Sequence, residues 1–276
     1  MFYNVSHSFF FFRFLHTRSY LFSHKAGVDT TAYQLCWIFL NLASNPRVQE
    51  TLADELRTTL EGQDVTTKKQ LDSLVYLKAC IRESHRLTPS SAVSIKTLSN
   101  DVDIPIRKFR STSSSDTTTA TTTKNGDKNN DHEDEIEYYY QLKAGQRINL
   151  NLRGYPMDPR YVDDPTKYRP ERFLPDAVAA RKGNVMSELA LDHPAFADPF
   201  GRGKRRCLGG NVAIAEMMIL IARLLQDYKL AFVAVAGGGV EEATSTPPPP
   251  PSWKPKQKLM LRADPYPAMR LIPRKK

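Results

Sequence analysis

The chain has 276 residues, room for one large or two small domains. With 41% hydrophobic and 25% charged residues it is neither wholly disordered nor fibrous. Lys and Arg number 39 against 30 Asp and Glu, and a net charge of +9 points to an acidic partner: nucleic acid, an anionic membrane or an acidic protein. Three cysteines, Cys36, Cys80 and Cys207, are too few and odd in number for a disulfide framework. They fit a reducing compartment and leave each thiol open to other work.

The first 28 residues hold no acid and carry Arg13, Arg18 and Lys25, the composition of a transit peptide; an irregular start is the alternative. The apolar run Phe9 to Phe12 is cut by Arg13, far short of the roughly 20 residues that span a bilayer. From Ala26 to Leu42, apolar residues Leu35, Ile38, Phe39 and Leu42 recur at helical spacing. Asn45-Pro46 ends that helix and opens the next, since Pro suits a helix's first turn. Val48, Leu52, Leu56 and Leu60 form its stripe, and Gly62 is the expected stop. Thr66 or Thr67 can cap a short turn, and Leu74 to Leu87 reads as a helix ended by Pro89.

Beyond Pro89 the pattern turns to short strands at Ala92 to Ile95 and Val102 to Ile104, then Glu137 to Leu142 and Arg147 to Leu152. Residues 111–135 are a Ser, Thr, Asn and Asp insert without core formers, expected to be disordered. Tyr155 to Asp176, rich in Pro, Tyr and Arg, suits an ordered meander. Asn211 to Tyr228 is a strongly apolar helix, expected to be buried on most faces. A second flexible insert is expected near 237–251, and Lys258 to Leu261 and Met269 to Ile272 read as strands.

The stretch Phe200-Gly201-Arg202-Gly203-Lys204-Arg205-Arg206-Cys207-Leu208-Gly209 is the most informative. Cations and a following helix N-terminus both favour thiolate over thiol at Cys207. Gly201, Gly203 and Gly209 permit tight turns and close approach to a flat ligand. Such a loop can present a thiolate to a metal, while neighbouring arginines hold carboxylates of the same ligand. A basic phosphate-binding loop with an incidental cysteine is the competing reading.

This stretch resembles the heme-binding signature of the cytochrome P-450 family, Phe-x-x-Gly-x-Arg-x-Cys-x-Gly, with Phe200, Gly203, Arg205, Cys207 and Gly209 at its five fixed positions. Ala26-Gly27-Val28-Asp29-Thr30-Thr31 resembles the family's central helix motif, Glu83-Ser84-His85-Arg86 matches Glu-x-x-Arg, and Pro170-Glu171-Arg172-Phe173 matches the meander motif. Each of the last three is weak alone; the four in the family's order are specific.

The resemblance implies a mainly α fold with small β-sheets: a partial cytochrome P-450 fold. Residues 26–276 would be the C-terminal heme-binding portion, and 1–25 are unassigned. Cys207 would ligate the iron of heme b (iron protoporphyrin IX), with Phe200 packed beside it and limiting its solvation. Arg205 would hold a propionate, and Lys96 would make a weaker propionate contact because it lacks the arginine fork. Asp29 and Thr30 would handle dioxygen and protons, or else form an ordinary helix start. Glu83, Arg86 and Arg172 would form a buried ion triad that holds the cysteine loop.

The function implied is a heme-thiolate monooxygenase that oxidises a small organic, apolar substrate with dioxygen. Electrons would come from a donor protein, a ferredoxin or a flavin reductase, on a basic face including Lys78, Arg82, Lys204 and Arg206. The loose match in this region is to the mitochondrial branch. Two alternatives stand: an inactive truncated fragment of such an enzyme, and a basic anion- or nucleic-acid-binding module. The monooxygenase reading expects no nucleic acid. The compartment stays open; an intracellular one, mitochondrial or membrane-associated, is the candidate.

Overall fold

A computed structural model describes residues 27–91, 93–107, 136–184, 188, 190–193, 198–233, 235–236, 239–240, 254–257, 261–264 and 268–274. The N-terminal segment 1–25 and the insert 111–135 lie outside the described residues, as does most of 237–251. The chain divides into two compact units. One holds the residues up to Val93 and from Asn151 onward; the other is Ser94–Leu150.

The larger unit starts with helix α1, residues 27–44. Helix α2 (Pro46–Leu60) buries Val48, Leu52, Leu56 and Leu60, the predicted stripe. Two left-handed residues end it, Glu61 (φ 51°) and the expected stop Gly62 (φ 78°). Helix α3 (Lys68–Ser73) is capped by Thr67, which exchanges hydrogen bonds with Gln70 in a capping box. Helix α4 (Val75–Leu87) has no side-chain cap of its own. The carboxylate of Glu55, on α2, supplies it, accepting from the Tyr76 N–H at 2.6 Å and the Leu77 N–H at 2.9 Å. Burial pushes the Glu55 carboxyl up, partly offset by those bonds.

The smaller unit consists of strands β1 (Val93–Thr97), β2 (Val102–Arg107), β3 (Ile136–Leu142) and β4 (Arg147–Asn151), although β1 and β4 each reach one residue beyond it. β1 pairs with β4, and β2 runs antiparallel to β3 with Val102 opposite Leu142.

Returning to the larger unit, residues 155–173 carry two 3-10 turns, Tyr155–Met157 and Pro170–Phe173, leading into helix α5 (Pro175–Ala180). The cysteine loop follows, with a 3-10 turn at Gly203–Arg205, and opens into helix α6 (Gly210–Asp227). Contrary to expectation, α6 is not buried on most faces. Met217, Met218, Ile221, Ala222 and Leu225 face the core, while Val212, Ile219 and Leu220 are exposed. Its apolar composition exceeds what one packed face requires. Strands β5 (Tyr228–Phe232), β6 (Val235–Ala236), β7 (Gly239–Val240), β8 (Lys254–Gln257), β9 (Leu261–Asp264) and β10 (Met269–Pro273) complete the chain, with β5–β10, β6–β7 and β8–β9 antiparallel. Val235–Ala236 and Gly239–Val240 thus put a short hairpin at the edge of the expected flexible insert; of the strand expected at 258–261, residues 258–260 lie outside the described residues and Leu261 opens β9.

Trp37, Ile38, Leu40 and Leu42 of α1 pack with Leu52 and Leu56 of α2, Leu77 and Cys80 of α4, and Met218, Ile221 and Leu225 of α6. Gln49 is fully buried inside this core. Its Nε2 donates to Leu42 O and Leu230 O, and its Oε1 accepts from the Leu230 N–H at 2.6 Å. The amide therefore ties α1, α2 and β5 together with its polar atoms satisfied.

Candidate functional site

Glu83 and Arg86, one turn apart on α4, are both buried. Both Glu83 oxygens accept from Arg86: Nε to Oε2 at 2.7 Å and Nη2 to Oε1 at 2.8 Å. Oε1 also accepts from Arg172 Nε at 3.3 Å and from the Arg169 N–H at 2.9 Å. The structure thus brings together Glu83, Arg86 and Arg172. Arg86 continues outward, donating to the carbonyls of Pro156 at 2.8 Å, Pro165 at 2.7 Å and Lys167 at 3.3 Å. Arg172 donates to Asp164 O at 2.8 Å. One carboxylate and two guanidinium groups hold the irregular backbone of 156–172 against α4 where no regular ladder could.

The cysteine loop is shaped by glycine at two points. Gly201 (φ 69°) and Gly203 (φ 73°) occupy the left-handed region that side chains disfavour. Gly209 has an ordinary φ of −83°. Gly210 is packed closely, since a Cβ there would lie 2.9 Å from Phe200 Cγ. The Phe200 ring therefore sits on the first turn of α6, and the Cys207 N–H donates to Phe200 O at 2.9 Å, closing the loop. Cys207 itself is exposed. Phe200 braces the loop by this contact, and it lines the same cavity as Cys207.

Cys207 lines a cavity of about 900 Å³, within the roughly 300–1,000 Å³ range of ligand and cofactor sites. Its floor and walls include Phe200, Leu208, Ala213, Ile214, Met217 and Met218; α4 contributes Ile81 and His85, and α1 contributes Gly27, Thr30, Thr31 and Gln34. Of the predicted site residues, Thr30, Phe200, Cys207 and Gly209 meet there. Asp29, Gly203 and Arg205 do not line it, and Lys96 belongs to the smaller unit.

The basic face is largely paired. Lys78 meets Asp72 at 3.4 Å, Arg82 meets Asp192 at 3.0 Å, and Arg206 meets Asp198 at 3.8 Å. The Arg82 guanidinium also stacks 4.4 Å from the Phe173 ring centre, and burial lowers its pKa against the pull of Asp192. Lys204 is exposed.

Two residues that sequence reasoning passed over line the same cavity. His85 has its pKa pushed down to about 4 by burial, with Asp198 acting in the opposite direction. Gln34, 5% exposed, accepts at Oε1 from the Ser90 N–H at 3.2 Å and from His85 Nδ1 at 3.3 Å. The only available signal was spacing: Gly27, Thr30, Thr31 and Gln34 recur at helical intervals, a polar stripe on an otherwise apolar helix.

A cysteine presented by a glycine-shaped loop into a largely apolar cavity, with an ion triad bracing segment 156–172 against the α4 helix that also lines it, defines a ligand-binding helical protein with a thiol at its site. Comparison with known sequences makes the class specific. A family model for cytochrome P450 matches residues 23–111 and 125–254. The chain is similar to 1,25-dihydroxyvitamin D(3) 24-hydroxylase, mitochondrial, of Mus musculus, 30% identical over 205 residues, 74% of this chain and 31% of that protein. It is also similar to cytochrome P450 71A2 of Solanum melongena, 29% identical over 209 residues, 76% of this chain and 34% of that one. Sterol 26-hydroxylase, mitochondrial, of Homo sapiens is 26% identical over 212 residues, 77% and 32% respectively. The chain belongs to the cytochrome P450 family. It spans about a third of the length of these relatives.

Proposed function

We propose that this chain carries the heme-binding portion of a heme-thiolate monooxygenase, in which Cys207 would hold the iron of heme b through its thiolate. The observation that supports the reading most directly is the shared cavity: the one cysteine of the signature, the central-helix threonine Thr30 and the apolar face of α6 all line it. The residues present fit the group: a thiol in a loop of cations and apolar walls for a macrocycle. A thiolate-ligated heme supplies the push that favours O–O cleavage, and so the insertion of one oxygen atom into an organic substrate.

The chain's own residues set the frame. Gly201, Gly203 and Gly210 shape the cysteine loop, and Phe200 braces it. Glu83, Arg86 and Arg172 hold the segment 156–172 rigid, a positioning role. Thr30 faces the cavity as a hydroxyl that can hold a proton near a bound ligand, with Asp29 adjacent on α1. Arg205 is the proposed propionate contact of the larger unit. An apolar substrate fits walls of Ile81, Ile214, Met217 and Met218. Electrons come from an acidic donor protein, a ferredoxin or a flavin reductase. Its carboxylates would meet Lys204 first, and would compete with Asp72, Asp192 and Asp198 for Lys78, Arg82 and Arg206. The two relatives named as mitochondrial support a mitochondrial compartment. Among the described residues, no helix is long and apolar enough to cross a membrane.

The test is spectroscopic. The chain is reconstituted with heme and reduced, carbon monoxide is added, and the absorbance is recorded beside that of Cys207→Ser. Loss of the thiolate-type band in the variant is expected; identical spectra would overturn the assignment.

A further inference from the structure

The amide of Gln34 is oriented by its neighbours. Its Oε1 must be the atom facing the Ser90 N–H, because a backbone donor needs an acceptor. His85 Nδ1 lies 3.3 Å from the same oxygen, so Nδ1 carries the hydrogen and the imidazole is the Nδ1–H tautomer. That leaves Gln34 Nε2 with no hydrogen-bond partner, on a side chain 95% buried and lining the cavity. A buried donor without a partner is costly, and few survive in folded proteins unless something occupies the space beside them.

We propose that Gln34 is the donor of a hydrogen-bonding subsite in the cavity wall, which takes the oxygen of a neutral hydroxyl- or carbonyl-bearing organic ligand. The subsite offers a neutral amide beside an imidazole held uncharged by burial. A carboxylate placed against this pair would gain no compensating charge from either group, and the two cations that line the same cavity, Lys78 and Arg82, are already paired with Asp72 and Asp192. A ligand oxygen would instead satisfy the orphaned donor, while the carbon skeleton lies against Ile81, Met217 and Met218. His85 and Ser90 act through Gln34, fixing which way its N–H points. The inference deepens the monooxygenase reading by naming a substrate feature, an oxygen already present on an apolar skeleton. It needs only that the cavity hold a small molecule, whatever the fate of Cys207.

The test uses the full chain and four probes on one six-membered carbon ring: cyclohexanol, cyclohexanone, methylcyclohexane and cyclohexanecarboxylate, with dissociation constants measured for wild type and for Gln34→Leu. The preference for cyclohexanone and cyclohexanol over methylcyclohexane is expected to fall about three- to tenfold in the variant, the range of one hydrogen bond. Cyclohexanecarboxylate should bind no better than the alcohol. An unchanged preference, or tightest binding of the carboxylate, would overturn the proposal. Should Gln34→Leu fail to fold, the side-chain amide resonance of Gln34 in wild type decides. It should move on adding cyclohexanone and not on adding methylcyclohexane, and no movement counts against the subsite. Cys207→Ser, which breaks the proposed iron ligand, should keep the oxygen preference, so the two readings can fail separately.

Discussion

Replacing Glu83 by Ala strikes the joint between α4 and the irregular segment 156–172. The side chain accepts four hydrogen bonds, two from Arg86, one from Arg172 and one from the Arg169 N–H. Both arginine side chains are only 3% exposed, and Glu83 is fully buried. Removing the carboxylate leaves two buried cations without their counter-charge, and breaking a buried pair costs about 3–5 kcal/mol. The lower end applies here, because Arg86 keeps the carbonyls of Pro156, Pro165 and Lys167, and Arg172 keeps Asp164 O. Glu83→Gln, which preserves one acceptor oxygen, should lose less. Urea denaturation of the three proteins, with the slope compared to verify that unfolding exposes the same surface, measures the difference. A loss below about 1 kcal/mol for Glu83→Ala would mean that these charges are solvated in the folded chain, and that the triad does not brace segment 156–172 against α4.

Gly210→Ala should force the Phe200 ring off α6, since the new Cβ would lie 2.9 Å from its Cγ. The expected loss is about 1–3 kcal/mol, with altered reactivity of Cys207 toward a chromogenic disulfide; unchanged melting and unchanged thiol kinetics would refute it. Acidification should also destabilise the chain in two windows. His85 is held near 4 in the folded state against 6.5 when unfolded, so its contribution, on the order of 3 kcal/mol, is complete above pH 6.5 and is lost as the pH falls toward 4. His85→Leu should flatten that window in denaturation curves taken at successive pH values, and a curve parallel to wild type would contradict the assignment. Below the ordinary carboxylate pKa, a second loss is expected from Glu50, where burial is outweighed by hydrogen bonds from Arg274 and Lys229, and from Glu171, where it is outweighed by bonds including those from Tyr76 and Arg47. Arg274→Ala should shrink this second loss, and no change would exclude the Glu50 pair as its source.

The sequence by itself determined the helices and the family. The stripe Val48, Leu52, Leu56 and Leu60 and the breaks at Pro46 and Pro89 are local features, set by side-chain period and by backbone that proline cannot continue. The signature around Cys207 is equally local, because ten consecutive residues carry it. Other decisions needed the folded chain. Glu55 caps α4 from a neighbouring helix, and Gln49 bridges to β5 across 181 residues; no window of sequence holds both partners. The close packing of Gly210 is another, since the contact depends on where the Phe200 ring comes to rest. The apolar composition of α6 suggested burial all round, but only one of its faces meets the core. The cations of the supposed docking face, Lys78, Arg82 and Arg206, gain carboxylate partners; for Arg82 that partner, Asp192, lies 110 residues away. Gln34 and His85 read as unremarkable in sequence. They become a site because α1 and α4 cross at a cavity, where a polar atom cut off from water must find its partner in whatever fills the space.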